Sequence, residues 1–140
     1  MKLLEPGRIG KITIKNRGIM AAMGVSTLES SDGNWGEGMM AYYETRAAGG
    51  VGMITTHSVF ISQEFEPFTR RSFNLYSDEH LASLKRIAEC LHRYDCRLCV
   101  QLTAGFGRVT MRLTPGVPPV SSSENPCDRF PKVIARALTT

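Results

Sequence analysis

The sequence predicts an α/β protein, built as the N-terminal part of a (β/α)8 (TIM) barrel. Apolar runs at 18–23, 51–56 and 97–102 have the length and composition of buried strands, and two segments of helical periodicity separate them. Alternating strands and helices indicate a parallel sheet with right-handed crossovers. The connections after the strands are long and those after the helices short, which favours a barrel over an open sheet. A full barrel needs about 250 residues, so residues 1–140 are expected to form one incomplete barrel domain.

The N-terminal segment predicts a small hairpin followed by the first strand. In residues 3–15, Pro6-Gly7 is a turn signal, and isoleucines then nearly alternate with polar residues. A hairpin here would plug one end of a barrel. The apolar run 18–23 is interpreted as a strand that is buried on both faces.

The first helix is predicted between the polar loop 24–36 and a glycine stop. Asn34 and Glu37 have the spacing of a capping box. Gly49-Gly50 is typical of a helix end. Four apolar residues share one face at helical spacing: Met39, Met40, Tyr43 and Ala47.

The second helix follows a long connection, 57–76. Ser77 is the expected N-cap, and Asp78 and Glu79 complement the helix dipole in the first turn. The predicted apolar stripe is Leu81, Leu84, Ala88 and Leu91. His80 and His92 are expected in solvent. The third strand follows at 97–102, and 104–138 is expected to be one long loop with short local strands.

Composition excludes several classes of function. The net charge is +4, but the basic residues form no run or stripe, so no nucleic-acid partner is expected. No apolar run reaches the ~18–20 residues of a membrane span, and the N-terminus lacks a signal-peptide pattern, so we expect a cytoplasmic protein. Cys96 and Cys99 have C-x-x-C spacing, which raises a zinc or redox module as an alternative. In a strand they would point to opposite faces, so structural cysteines are favoured and no metal site is expected.

Seven motifs, in matching order and spacing, give the chain its resemblance to a known family. Residues 42–54, YYETRAAGGVGMI, resemble the pattern YY-x-x-R-A-x-G-G-V-G-L-I of the old yellow enzyme family of flavin-dependent ene-reductases. The similarity is greatest to the branch of 2,4-dienoyl-CoA reductase and the bacterial enoate reductases. The other matching segments are 4–17, 20–23, 76–80, 101–108, 117–122 and 136–139.

The resemblance implies a barrel that binds FMN at the carboxyl ends of its strands. It implies hydride transfer from NADH or NADPH, through the flavin, to an activated alkene of the enoate or dienoyl-CoA type. A small-molecule alkene, in some members a CoA thioester, is thus the implied partner, with a homo-oligomer as a further expectation. An iron–sulfur cluster and FAD are implied only for the longer protein.

The same resemblance assigns six cofactor-binding residues. The backbone of the first-strand end would lie along the flavin ring. Ser58 aligns with a small residue near the polar edge of the flavin, and Gln101 with a glutamine that meets its pyrimidine half. A carboxamide suits that role because it both donates and accepts. The first-strand residues are Ala21, Ala22, Met23 and Gly24.

Three departures accompany the match. Ala22 stands where the family has proline, and Gly24 where it has a threonine or cysteine that contacts flavin O4. The histidine of the QL-x-H motif is out of register. The family's histidine pair and proton-donor tyrosine lie beyond these residues, so no catalytic residue is assigned and the isolated chain is expected to be inactive. His57 is interpreted as a polar residue at the rim.

An alternative from another class is a non-catalytic module. A partial barrel exposes strand edges and apolar faces, and these favour self-association or pairing with a partner chain.

Overall fold

A computed structural model describes residues 1–25, 27–28, 31–62, 73–110, 113 and 115–139. Part of the predicted connection 57–76 therefore lies outside the described residues. Strands and helices alternate as predicted. The elements are β1 (Gly7–Ile9), β2 (Ile12–Ile14), β3 (Ile19–Met20), α1 (Glu37–Ala48), β4 (Met53–Phe60), β5 (Phe73–Asn74), α2 (Asp78–His92), β6 (Arg97–Thr103), β7 (Val120–Ser121), β8 (Asn125–Pro126) and β9 (Ile134–Ala137).

The main sheet is parallel and centred on β4. β3 and β6 flank β4, and in one row Ile54 lies between Met20 and Leu98. The short strand β5 pairs with the end of β4, at Val59 and Phe60. The parallel pairing confirms the β/α prediction. β5 was not predicted, since a two-residue strand has no periodicity to detect.

The start of α1 differs from the prediction, but its buried face and its end do not. Gly36 is the N-cap and makes no side-chain capping bond, so the predicted capping box is wrong. Asn34 instead donates from Nδ2 to Glu79 Oε1 in α2, at 3.1 Å. Gly50 has φ +101°, which a glycine after a helix end adopts without strain. The predicted core face is confirmed by three buried residues, Met39, Tyr43 and Ala47.

α2 has the predicted cap but a rotated apolar face. Ser77 Oγ accepts from the His80 amide at 3.3 Å, as an N-cap residue does. Leu81 is 55% exposed, so its assignment to the stripe is wrong. The buried residues of α2 are His80, Leu84, Ile87, Cys90 and Leu91.

His80 is buried, contrary to the prediction that it is solvated. Only 7% of its surface is exposed. Its two ring nitrogens lie 2.8 Å from Ser77 Oγ and 3.2 Å from the Asp32 carbonyl oxygen. These partners allow a polar ring to sit in the helix face without an unsatisfied group. His92 is exposed, as predicted.

The core lies between the sheet and the two helices. Ile54 and Val59 of β4 pack there with Ile87 and Leu91 of α2. Trp35, just before α1, stacks on Phe73 with ring centroids 4.1 Å apart. The other fully buried side chains in this core include Met39 and Tyr43.

The opposite face of the sheet is open, so the prediction that 18–23 is buried on both faces is wrong. Ile19 of β3 is 46% exposed. The apolar run 18–23 makes burial of both faces possible, but a face is buried only where another element covers it. Among the described residues the helices cover one face only.

The N-terminal hairpin is confirmed, with its turn at Gly10 rather than at Pro6-Gly7. Gly10 has φ +56° between the antiparallel strands β1 and β2. Asn16 anchors the hairpin to the turn after α1. Its Nδ2 donates to the Gly50 carbonyl at 2.7 Å, and a Cβ at Gly52 would lie 2.6 Å from its backbone oxygen. The motif segments 4–17 and 42–54 therefore touch each other, through Asn16 and the turn after α1.

The predicted loop 104–138 contains a small separate sheet. β9 is its centre, parallel to β7 and antiparallel to β8. Asp128 ties it to the preceding turn, because its amide donates to the Arg108 carbonyl at 2.8 Å and its carboxylate accepts from Arg108 Nε at 3.1 Å. Neither α1 nor α2 is long and apolar enough to cross a bilayer.

Candidate functional site

A β-bulge in β4 shapes the carboxyl end of the main sheet. β4 continues to Phe60, beyond the predicted end at residue 56. Thr55 pairs with Cys99 and Ser58 with Gln101, so β4 advances three residues while β6 advances two. One extra residue on one strand defines a bulge, a feature found next to many binding sites.

The bulge decides which face Ser58 occupies. Side chains alternate between the two faces of a strand, so Ser58 would normally share the helix face with Ile54. After the extra residue, Val59 takes the helix face and packs in the core with Ile54. Ser58 is turned to the open face.

Ser58 and Gln101, both predicted to bind the cofactor, lie side by side on that open face. Ser58 Oγ donates to Gln101 Oε1 at 3.3 Å. The Gln101 side chain is exposed rather than buried. The pair offers a hydroxyl and a carboxamide as donor and acceptor groups at adjacent positions of neighbouring strands.

The predicted first-strand residues follow β3 at the same end of the sheet. Ala21, Met23 and Gly24 are exposed, and Ala22 is half-buried. Gly24 lies against His57, since a Cβ at Gly24 would be 3.1 Å from the ring atoms Cδ2 and Nε2. This contact joins the 21–24 segment to the end of β4. The described contacts do not place Ala21, Ala22 or Met23 against the Ser58–Gln101 pair.

His57 lies beside Ser58 at this end of β4. Its Nδ1 lies 2.9 Å from the Ser58 carbonyl oxygen, and its ring meets Phe73 edge-on. The sequence signal was the polar run after the apolar part of β4. The sequence places residue 57 in the connection 57–76, whereas in the structure it belongs to β4.

Two buried hydroxyls support the bulge, and no sequence pattern assigns either of them to the site. Tyr43 Oη of α1 accepts the His57 amide hydrogen at 3.1 Å. Thr56 Oγ1 accepts the Gln101 amide hydrogen at 3.0 Å. Burial raises the pKa of Tyr43, which keeps the hydroxyl protonated. Helical spacing assigns Tyr43 only to the apolar face of α1.

The C-x-x-C pair has two different environments. Cys96 is buried beneath α2 and Cys99 is exposed on the open face. Burial raises the pKa of Cys96, which disfavours the reactive thiolate. Within the described residues, no three His, Cys, Asp or Glu side chains are grouped to hold a metal ion.

The site therefore combines a parallel sheet, long connections at its carboxyl end, and polar groups on the face away from the helices. Ala21, Ala22 and Gly24 carry little or no side chain, and Ala21 and Gly24 are exposed. In (β/α)8-barrel enzymes the active site lies at this end of the strands.

Comparison with known proteins gives the family. The family model described as NADH:flavin oxidoreductase / NADH oxidase matches residues 2–137. The chain belongs to this family. The resemblance stated from the motifs is thereby confirmed.

Named relatives and a solved structure agree. Cinnamate reductase of Clostridium sporogenes is 32% identical over 99% of the chain, and NADH oxidase of Thermoanaerobacter brockii is 31% identical over 89%. The chain spans 21% and 19% of their respective lengths. The old yellow enzyme homologue of Zymomonas mobilis superimposes with a TM-score of 0.76 at 27% identity, over 99% of this chain and 40% of that one. The described fold is thus part of such a barrel, and the predicted fold class is confirmed.

Proposed function

We propose that residues 1–140 form the N-terminal part of an FMN-binding barrel domain. The observation that carries this proposal is the Ser58–Gln101 pair, at 3.3 Å on the open face of the sheet. Membership of the flavin oxidoreductase family supports it. In the whole protein, bound FMN would supply hydride transfer from NADH or NADPH to a substrate.

Each part of the site has a role in this proposal. The Gln101 carboxamide and the Ser58 hydroxyl bind the edge of the flavin that carries both donors and acceptors. The backbone of 21–24 lies along the ring, where alanine and glycine allow close approach. His57 supports this segment through its contact with Gly24.

The proposed substrate is an activated alkene. The name of the relative cinnamate reductase points to an α,β-unsaturated carboxylic acid. We extend the substrate class to enoates and dienoyl-CoA-type thioesters on the motif resemblance. The motif resemblance assigns the family's proton donor to none of these residues, so we propose that the 140-residue chain by itself does not turn over.

Titration of the purified chain with FMN tests the proposal. We expect saturable binding that quenches flavin fluorescence. Gln101→Leu, which keeps the volume and removes both polar atoms, should raise the Kd of FMN about tenfold, because a hydrogen-bonding group is lost. Cys99→Ala, on the same face of β6, is the matched control. Absence of saturable binding, or an equal Kd for Gln101→Leu and the parent, contradicts the proposal.

Self-association is a second candidate function, favoured by the open face. Ile19 is 46% exposed on it, and within the described part of the chain β3 and β6 each pair only with β4. Unpaired edges and apolar surface favour association. Light scattering after size exclusion should then give a mass above that of one chain. A monomer at every concentration would exclude this candidate.

A further inference from the structure

The bulge in β4 is held from the helix side, by groups that do not themselves face the candidate site. The His57 amide is directed to Tyr43 Oη of α1, at 3.1 Å. The Gln101 amide of β6 donates to the side-chain hydroxyl of Thr56, at 3.0 Å. A bulge interrupts the ladder and leaves backbone groups that need other partners.

Both hydroxyls are fixed in the core. Tyr43 is 1% exposed, and its ring packs near Trp35 and against Tyr42. Thr56 is fully buried. Neither side chain has room to change its position without disturbing the packing of α1 on the sheet.

Without the bulge, the polar pair of the open face would be lost. A regular strand would place Ser58 on the helix face and Val59 on the open face. The hydroxyl of Ser58 would then be separated from Gln101 by the sheet itself. The stability of the bulge and the geometry of the proposed cofactor site are therefore linked.

We propose that Tyr43 is a positioning residue, whose buried hydroxyl holds the β4 bulge and so turns Ser58 toward Gln101 on the cofactor-binding face. This inference rests on the proposed FMN function. The role is indirect, because Tyr43 touches the bulge from α1 and lies on the side of the sheet opposite the proposed flavin. Thr56 is the second anchor, acting through the Gln101 amide.

The first experiment compares Tyr43→Phe with Tyr42→Phe in the full chain. Both remove one tyrosine hydroxyl from α1 and keep the ring, but it is the Tyr43 hydroxyl that accepts a hydrogen bond from the bulge, that of the His57 amide. Amide hydrogen exchange of His57, followed by NMR, reports the bulge without any flavin. We expect exchange about fivefold to tenfold faster in Tyr43→Phe and unchanged in Tyr42→Phe. Unchanged His57 exchange in Tyr43→Phe would overturn the inference.

The second measurement follows FMN. Tyr43→Phe should raise the Kd about fivefold to tenfold and shift the long-wavelength absorption band of the bound flavin at saturation. A merely destabilised chain would bind less FMN but would leave the band of the bound fraction in place. Faster His57 exchange with unaltered Kd and band would overturn the positioning role.

Two conservative substitutions of Thr56 distinguish loss of the hydroxyl from a folding defect. Thr56→Ser keeps the hydroxyl and should retain the parent Kd, whereas Thr56→Val, which is close in volume, should weaken FMN binding as Tyr43→Phe does. Equal binding by the serine and valine variants would overturn the anchor assignment.

If the parent chain binds no FMN, the proposed function fails and the flavin role of Tyr43 fails with it. His57 exchange still decides whether Tyr43 holds the bulge.

Discussion

The side chains on the two faces of the main sheet differ in burial and in polarity. On the helix face, Ile54 and Val59 are completely buried and pack in one core with Ile87 and Leu91 of α2. On the open face, Ser58 and Gln101 offer polar groups and Ile19 is about half exposed, at 46%. The first face stabilises the fold, and the second is available for binding. The bulge in β4 is the point where one strand passes from the first arrangement to the second.

The largest expected difference in stability is between isoleucine-to-alanine substitutions on the two faces. Ile54→Ala removes a fully buried side chain and should lower the free energy of unfolding by about 2–5 kcal/mol, through lost burial and a cavity. Ile19→Ala, on the neighbouring strand and open face, should cost under about 1 kcal/mol. Urea unfolding followed by circular dichroism measures both. Equal losses would show that the open face is covered in solution, as self-association would cover it.

Much of the fold could be predicted because it is local in the sequence. The strands and helices follow from apolar periodicity, the end of α1 from Gly50, and the start of α2 from Ser77. The face of α2 was misplaced by one residue, because His80 looks solvated until its partners Ser77 and Asp32 are known. A polar residue enters a core only with partners, and those are set by tertiary contacts.

The candidate site could be predicted only in part. Gln101 and Ser58 followed from motif resemblance, and the structure brings them together. The bulge did not follow, because an inserted residue leaves no composition signal and only reverses the alternation after it. Tyr43 was missed for a related reason. Helical spacing identifies the buried Tyr43 ring, but not the His57 amide in β4 from which its hydroxyl accepts a hydrogen bond.

A substitution at the N-terminus of α2 should have an intermediate effect on the free energy of unfolding. Ser77→Ala removes the N-cap of α2 and the side-chain contact with His80. The free energy of unfolding should fall by about 1 kcal/mol, since one helix amide loses its acceptor. Ser77→Asp, which restores a capping oxygen, should recover most of the loss. Ser122→Ala, in an exposed turn, is the control for removing a serine hydroxyl. If Ser77→Ala lowered the free energy of unfolding as much as Ile54→Ala does, capping of α2 would stabilise the fold as much as burial of a core side chain.

The smallest effect is expected at Glu44, on the outer surface where α1 meets the end of α2. The hydrogen bond from Tyr94, with further contributions from Cys90 and Arg93, lowers the pKa of this carboxyl. Tyr94 Oη donates to Glu44 Oε1 at 3.0 Å, and Arg93 Nη2 lies 3.3 Å from the same oxygen. A carboxyl whose pKa is lower in the folded state stabilises the fold at pH values above its unfolded pKa, about 4.3. That contribution is lost as the pH falls through the folded pKa.

Glu44→Gln should therefore lower the Tm slightly at pH 7, and the gap to the parent should close as the pH falls below about 4. The effect stays small because the pair lies near solvent, where water and salt screen the charges. Thermal melts of both chains between neutral and acidic pH measure the gap. Glu89→Gln, which removes another carboxylate from the helix surface, is the control. A Tm gap that widened toward acid would mean that the Glu44 carboxylate destabilises the fold, and the outer surface of the helix layer would then contribute to stability only through its apolar packing.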